Sequence, residues 1–420
     1  MKKVIMYLSL LLVLLLVLTL SYCNDDNETI VLNVYNWGEY ISDGSEDSFD
    51  VNAEFEQYYY ENYGKKVQVN YTTYASNEDM YAKVKSGATS YDIVIPSDYM
   101  IERLINENLL APINFDNIPN YEYIDERFKS NPEFHYYDPE NKYSVPYTYG
   151  VVGVIYNAEE VTSDNIGSWN LLWDEDYAGK ILQFNNPRDA LGTAMYKNGI
   201  SVNTKDKSEW DAALEDLKNQ KSLVQSYVMD EIFNKMKSDS AWIAPYYAGD
   251  FFSMYEENDK LAFFYPEEGT NIFIDAMCIP KNTKNKDVAE AYINFMLEEE
   301  TATANAEYIY YASPCTHVRN NEEYVECMTE VHPDAIEILY GDTVPLGTEG
   351  VSDETKVKVS FYENLEQEYL EYENNLWEEL KIESSVGGSV YVICYVIVAV
   401  IVAGAIVLFI KRKKRRALYD

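Results

Sequence analysis

Val31-Leu-Asn-Val-Tyr-Asn-Trp-Gly-Glu-Tyr40 runs a short apolar segment straight into an aromatic plate, a carboxylate and a second aromatic ring. Trp37, Glu39 and Tyr40 in that order suit an organic cation. Ring faces attract positive charge, and a carboxylate accepts a charge-assisted hydrogen bond from it. The same residues also fit a plainer reading, two core aromatics beside a solvated loop charge, and the two are separated by where the fold puts them. A second run, Pro96-Ser-Asp-Tyr99, offers Ser97 and Tyr99. Asp275 stands in the middle of the apolar segment Asn271–Pro280. An Asp inside a buried strand is costly unless it is paired, so Asp275 is either hydrogen-bonded for structure or held for a ligand.

The elements that must position these residues are legible in the periodicity. Short apolar runs alternate with longer periodic ones at Val31–Tyr35, Phe49–Tyr63, Val67–Tyr71, Asn77–Ser86, Asp92–Ile95 and Tyr99–Asn106. Read as strand and helix in turn, they predict an α/β fold with a parallel sheet. Gly64 and Gly87 stand where helix C-caps are wanted, and Ser76 with Asp79 makes an approximate capping box. In an open parallel sheet the ligand site lies beyond the carboxyl ends of the strands. Trp37–Tyr40 follows the first strand and Ser97–Tyr99 the third, which favours the binding reading.

A second α/β set is expected after Tyr143–Gly150, whose Pro146 and Gly150 mark a chain crossing between lobes. Strands are expected at Val151–Asn157, Gly179–Phe184 and Asn271–Pro280. Helices are expected at Trp210–Gln220 and Asp287–Glu299, and a further pair of helical segments over Lys356–Leu380. At 420 residues the chain exceeds one compact core, so two lobes are expected.

The two ends differ from the middle. Met1-Lys-Lys3 followed by apolar Val4–Leu20 has the pattern of an export signal or signal anchor over residues 1–23. Cys23 resembles the lipid-acceptor Cys of a lipoprotein-processing box, with Tyr22 where a small residue is usual. Lipidation, ordinary cleavage nearby and an uncleaved anchor all stay open. Ser389–Ile410 is uncharged and long enough for a transmembrane helix. The basic run Lys411–Arg416 follows it, so residues 411–420 are expected as a cytoplasmic tail with the body of the protein outside the cell membrane.

The formal net charge is −38, which repels nucleic acid and anionic lipid and attracts small cations. Cys278, Cys315 and Cys327 fall in the central region. A Cys315–Cys327 disulfide is chemically allowed outside the cell, and spacing does not decide between it and free thiols. His135, His317 and His332 have no metal-ligand spacing. Paired carboxylates could hydrolyse a glycoside, but Gly-x-Ser-x-Gly, His-Glu-x-x-His and phosphate-loop motifs are all missing. No catalytic residue, metal or cofactor is expected.

Tyr35-Asn-Trp-Gly-Glu-Tyr40, Tyr74-Ala-Ser-Asn-Glu-Asp-Met-Tyr-Ala-Lys83, Tyr91-Asp-Ile-Val-Ile-Pro-Ser-Asp-Tyr99, Tyr143-Ser-Val-Pro-Tyr147 and Ile274-Asp-Ala-Met-Cys-Ile-Pro280 occur in that order. Over about residues 30–380 this series resembles the bacterial spermidine/putrescine-binding proteins of ABC transporters. The resemblance implies a two-lobed periplasmic-binding-protein fold of type 2, whose cleft closes on a polyamine by hinge motion. One lobe would take 29–145 with 276–321, the other 146–275 with 322–382. It implies partnership with separate permease and ATPase subunits.

Residue by residue, the resemblance implies Trp37, Glu39, Tyr40, Ser97 and Tyr99 as contacts of the first lobe and Asp189 as an acidic contact of the second. Tyr247 stands where the family has Trp, Asp275 matches the principal ammonium-binding Asp, and Tyr311 a late aromatic contact. Phe273 replaces a frequent Trp and Asn186 an expected Asp, which keeps putrescine and spermidine both in play. A membrane span is unusual for a soluble binding protein, so a tether beside the permease, or the remnant or start of a fusion to transporter segments, is expected. A membrane-tethered sensor for another solute, metal or organic cation, is the alternative.

Overall fold

The computed structural model describes residues 29–346 and 356–385. The expected signal over 1–23 with Cys23, the span 389–410 and the tail 411–420 lie outside the described residues. Among the described residues no helix is long and apolar enough to cross a membrane.

The strands are β1 (Ile30–Trp37), β2 (Val67–Tyr74), β3 (Ile93–Val94), β4 (Ser144–Asn157), β5 (Ile181–Phe184), β6 (Val224–Val228), β7 (Ile243–Tyr247), β8 (Leu261–Phe264), β9 (Thr270–Cys278), β10 (Thr343–Pro345) and β11 (Val357–Ser360). They lie in the order β2-β1-β3-β9-β4-β7-β5-β6, with β8 on β4, β11 on β9 and β10 on β11. β1 lies parallel to both β2 and β3, and β5 parallel to both β6 and β7. Between these two parallel sets, β9 and β4 run antiparallel to each other and to their outer neighbours. β4 pairs with β9 up to Val151, then with β7 from Val152 and with β8 from Val154. One strand thus serves both halves of the molecule. β9 is buried along its whole length and β4 at all but one residue, as strands covered on both faces must be.

Local chemistry sets the boundaries of the flanking helices. Asp50 accepts from the Ala53 amide at 2.9 Å to open helix Val51–Tyr63, and Gly64 closes it at φ 67°. Ser76 Oγ accepts from the Asp79 amide at 3.1 Å to open helix Asn77–Ser86, and Gly87 closes it at φ 63°. Both glycines occupy the left-handed region that Cβ disfavours.

The structure departs from the sequence reading at four places. β3 shrinks to two residues, because Asp92 holds β1 with its side chain as well as its backbone: its Oδ2 accepts from the Asn33 amide at 2.9 Å, while its own amide donates to Asn33 O at 2.8 Å. The expected crossing segment Tyr143–Gly150 is extended: from Ser144 it forms the first half of β4, with a register shift between Pro146 and Thr148 that accommodates the missing proline N–H. The helix expected over Asp287–Glu299 stops at Met296, and extended Glu298 starts a new one, Glu299–Ile309. The pair of helices expected over Lys356–Leu380 is instead β11 followed by a single helix, Gln367–Ser385. Val357 and Val359 are β-branched at period two, and β11 adds to the edge of β9 at its start through Val359–Thr270 and Ser360–Asn271. Cys278, Cys315 and Cys327 are free thiols.

The entry to β4 is pinned by one side chain. Asp138 is buried, and its carboxylate accepts from the amides of Lys142, Tyr143 and Ser144 and from Ser144 Oγ at 2.8–3.2 Å. Asp138→Ala leaves these donors without an acceptor, for an expected loss of about 3–5 kcal/mol by urea denaturation. Asp138→Asn, which keeps an accepting oxygen, should lose less; a loss below about 1 kcal/mol for the alanine variant would mean that water replaces the carboxylate.

Candidate functional site

The carboxyl ends of β1, β3, β5 and β7 all open on one cleft between the two parallel sets. Trp37–Tyr40 follows β1, Ser97–Tyr99 follows β3, Asn186–Asp189 follows β5, and Tyr247–Asp250 ends β7 and begins helix Ala248–Glu257. β9 presents Phe273 and Asp275 to the same space, and Tyr311 completes the ring of aromatics. The cleft encloses about 890 Å³, its open mouth included. All ten residues singled out from the sequence, Trp37, Glu39, Tyr40, Ser97, Tyr99, Asp189, Tyr247, Phe273, Asp275 and Tyr311, line it.

Asp275 is only 3% exposed. Tyr40 OH donates to its Oδ2 at 2.8 Å, and the Tyr40 hydroxyl is itself held by Thr148 Oγ1. Oδ1 has no hydrogen-bond partner among the described residues. Burial pushes the carboxyl up to about 6, against the neighbouring Ser97 hydroxyl and the Tyr40 hydrogen bond, which pull it down. Tyr40 stacks edge-on to Tyr311 with centroids 4.8 Å apart, and Tyr247 to Phe273 at 5.3 Å. Two glycines make room for these rings. A Cβ at Gly249 would stand 2.5 Å from Tyr311 Cδ2, and one at Gly150 2.7 Å from Phe273 Cζ. Trp37 is fixed by its indole N–H, which donates to Ile95 O at 3.0 Å.

At the β5 side, Asn186 caps helix Pro187–Lys197. Its Oδ1 accepts from the Asp189 amide and its Nδ2 donates to Asp189 Oδ2, each at 2.8 Å. Tyr247 OH donates to the same Oδ2 at 2.8 Å. Asn186 therefore orients Asp189, a role an acid could not fill with the same donor. Nearby, Tyr99 OH donates to Glu78 Oε1 at 3.0 Å. Burial raises the carboxyls of both Asp189 and Glu78.

Sequence reasoning missed four carboxylates of this cleft, Glu78, Asp98, Asp230 and Asp250. Asp250 accepts from Tyr311 OH at 2.7 Å and is pushed up to about 7, by burial first and by the charges of Asp230 and Glu39 second. It sits in the strand-to-helix turn of Tyr247, so the topological rule that located Trp37 could have found it. Glu78 lies inside the recognised Tyr74–Lys83 motif, while Asp230 carries no signal that distinguishes it from other surface acids. Glu39 itself is exposed with φ 51°, the left-handed backbone that non-glycine residues adopt at functional turns. Among the described residues Arg188 is the sole base lining the cleft. No group of acidic, His or Cys side chains among the described residues could hold a metal ion.

A family model for bacterial extracellular solute-binding proteins matches residues 88–332. The chain belongs to that family. It is 30% identical over 342 residues to the spermidine/putrescine-binding periplasmic protein of Salmonella typhimurium, covering 81% of this chain and 92% of that one. A crystal structure assigned to a spermidine/putrescine ABC transporter of Listeria monocytogenes superposes with a TM-score of 0.71 at 34% identity, over 84% of this chain and all of that one. The spermidine/putrescine ABC transporter substrate-binding protein of Streptococcus pneumoniae superposes with a TM-score of 0.64 at 32% identity, over 84% of this chain and 99% of that one. The solute-binding protein therefore has the α/β periplasmic-binding-protein fold and is a binding protein rather than an enzyme.

The buried acid of this solute-binding protein makes its stability depend on pH. Asp275 ionises near 6 when folded against 3.8 ordinarily, so between those values the folded chain holds more protons than the unfolded one. Its contribution is favourable below the lower value and is lost as pH rises through the upper one. Asp275→Asn should therefore raise the unfolding free energy of the ligand-free protein at pH 7.5, and with it the urea midpoint, by up to about 3 kcal/mol in free energy, and leave both nearly unchanged at pH 3.5. An unchanged midpoint at pH 7.5 would show that the fold already compensates the charge.

Proposed function

We propose that this protein captures a linear polyamine of the putrescine or spermidine type in its cleft and delivers it to an ABC transporter outside the cytoplasm. The observation that carries the reading is Asp275 Oδ1: a buried carboxylate oxygen, without a hydrogen-bond partner, facing a cleft rich in carboxylates and aromatic edges. A primary ammonium satisfies that oxygen, and the methylene chain lies along the rings.

In this reading Asp275, with Tyr40 and Ser97, holds one ammonium. Asp189, oriented by Asn186 and Tyr247, or Asp250, oriented by Tyr311, holds another. Trp37, Tyr99, Tyr247, Phe273 and Tyr311 line the chain between them, and Glu39 lends its charge at the mouth. A charge-assisted hydrogen bond contributes about 1.5–3 kcal/mol and a cation–π contact about 0.5–2 kcal/mol. A few of each reach the ~8 kcal/mol of micromolar affinity after ordering costs. The two lobes, 29–145 with 276–321 and 146–275 with 322–382, close about β4 and β9, the strands shared by both halves. Relatives named for polyamine binding and for ABC transport support ligand and partners. The uncharged length of 389–410 and the basic run after it support a membrane tether beside the permease, with Cys23 as a second attachment point.

Calorimetric titration tests the reading. The protein should bind putrescine or spermidine one-to-one, and Asp275→Asn should weaken binding at least tenfold, since about 1.4 kcal/mol suffices. Unchanged affinity in that variant removes Asp275 from the site. Affinity should also fall as pH drops from 7.5 through 6, because protonated Asp250 and Asp275 no longer attract a cation; a flat profile would place the cation elsewhere. Asn186→Asp adds a charge beside Asp189 and should favour spermidine over putrescine by several-fold. An unchanged ratio would confine Asn186 to its capping role.

A further inference from the structure

Arg188 stands between two sets of carboxylates. On one side it lines the cleft next to Asp189. On the other, its Nη1 lies 3.8 Å from Oε1 of Glu373, which is on the C-terminal helix Gln367–Ser385. Both residues are buried, at 6% and 4% exposure, yet the pair is incompletely made. Arg188 Nε and Nη1 and Glu373 Oε1 have no hydrogen-bond partner among the described residues. Arg188 is anchored through Nη2, which donates to Asn203 Oδ1 at 3.0 Å and to Glu363 O at 3.1 Å, and by the rings of Tyr362 and Trp210, 4.7 and 5.9 Å away. A buried guanidinium with two idle donors beside a buried carboxylate with an idle oxygen can tighten by a small rotation.

We propose that Arg188 and Glu373 relay occupancy of the cleft to the C-terminal helix: a ligand ammonium that neutralises Asp189 and Glu78 cancels their longer-range pull on Arg188, which then closes on Glu373, whose proton passes to solvent. The relay rests on the polyamine reading of the cleft. Glu373 is pushed up to about 7 chiefly by burial; Arg188 opposes this, while the charges of Glu78 and Asp189 add to it. Glu78 and Asp189 feel the same guanidinium. A cation placed on them cancels the negative charges that hold the proton on Glu373 and leaves the Arg188 guanidinium to drive it off. By linkage, deprotonated Glu373 in turn favours the occupied cleft. The helix is docked on helix Lys207–Gln220 by Lys207–Glu368 and Lys218–Glu379 contacts and by buried Leu376, Trp377 and Leu380. It is the last described helix before the apolar run 389–410, so a change in its order is carried toward the tether.

The test is calorimetric titration of the full chain with putrescine at pH 7 in phosphate and in Tris, whose ionisation enthalpies differ, comparing wild type with Glu373→Gln. Both should bind putrescine, and the variant should release fewer protons, by up to about half a proton, the remainder coming from Asp250 and Asp275. Equal release in the two overturns the relay. A second readout needs no variant: saturating putrescine should slow hydrogen exchange across Gln367–Ser385, and unchanged exchange there also overturns it. Absence of putrescine and spermidine binding by the wild type would instead overturn the polyamine reading, and the relay with it.

Discussion

Burying Asp275 in the middle of β9 is the constraint around which the cleft is assembled. An isolated carboxylate there is expensive, and the fold offsets it with Tyr40 from the turn after β1 and Ser97 from the turn after β3. Those two turns are thereby drawn to the strand that both halves share. The offset stops one oxygen short. A carboxylate whose Oδ2 is bonded and whose Oδ1 is not holds a fixed orientation while keeping its appetite for a cation, which is what a reversible receptor needs.

Around it, aromatic hydroxyls repeat the same device. Tyr311 orients Asp250, Tyr247 orients Asp189 and Tyr99 orients Glu78. Each phenol donates to a carboxylate and turns its ring edge or face toward the cleft, so orientation of charge and provision of apolar lining come from one side chain. The glycines at 150 and 249 are the backbone counterpart, since ring and strand or helix approach closer there than a Cβ permits. Phenols suit this better than phenylalanine because burial raises their own ionisation and keeps them as donors.

The through-strands explain how two parallel sets can share one cleft. β4 and β9 are buried and mutually paired, and each parallel set hangs from one side of the pair. Residues that line the cleft come from both sets. Arg188 extends the same balance of charge from the cleft to the far side of the second set.

Much of this was readable from residue order. The alternation of apolar and periodic runs reports local burial directly, and capping residues such as Asp50, Ser76 and Gly64 act within a few residues of themselves, so helices in the first hundred residues and the loops bearing Trp37 and Ser97 follow from local chemistry. The motif order identified the family, and with it the positions that line the cleft. Tertiary structure decided the rest. Val357–Ser360 is a strand only because β9 offers an unpaired edge there, and Tyr143–Gly150 is a strand because a bulge absorbs Pro146. Asp250 and Glu78 join the cleft because distant turns converge, and Arg188 meets Glu373 across 185 positions of sequence. Local sequence specifies which segments must bury a face; which faces meet, and which polar atoms are left without partners when they do, is settled only by packing the whole chain.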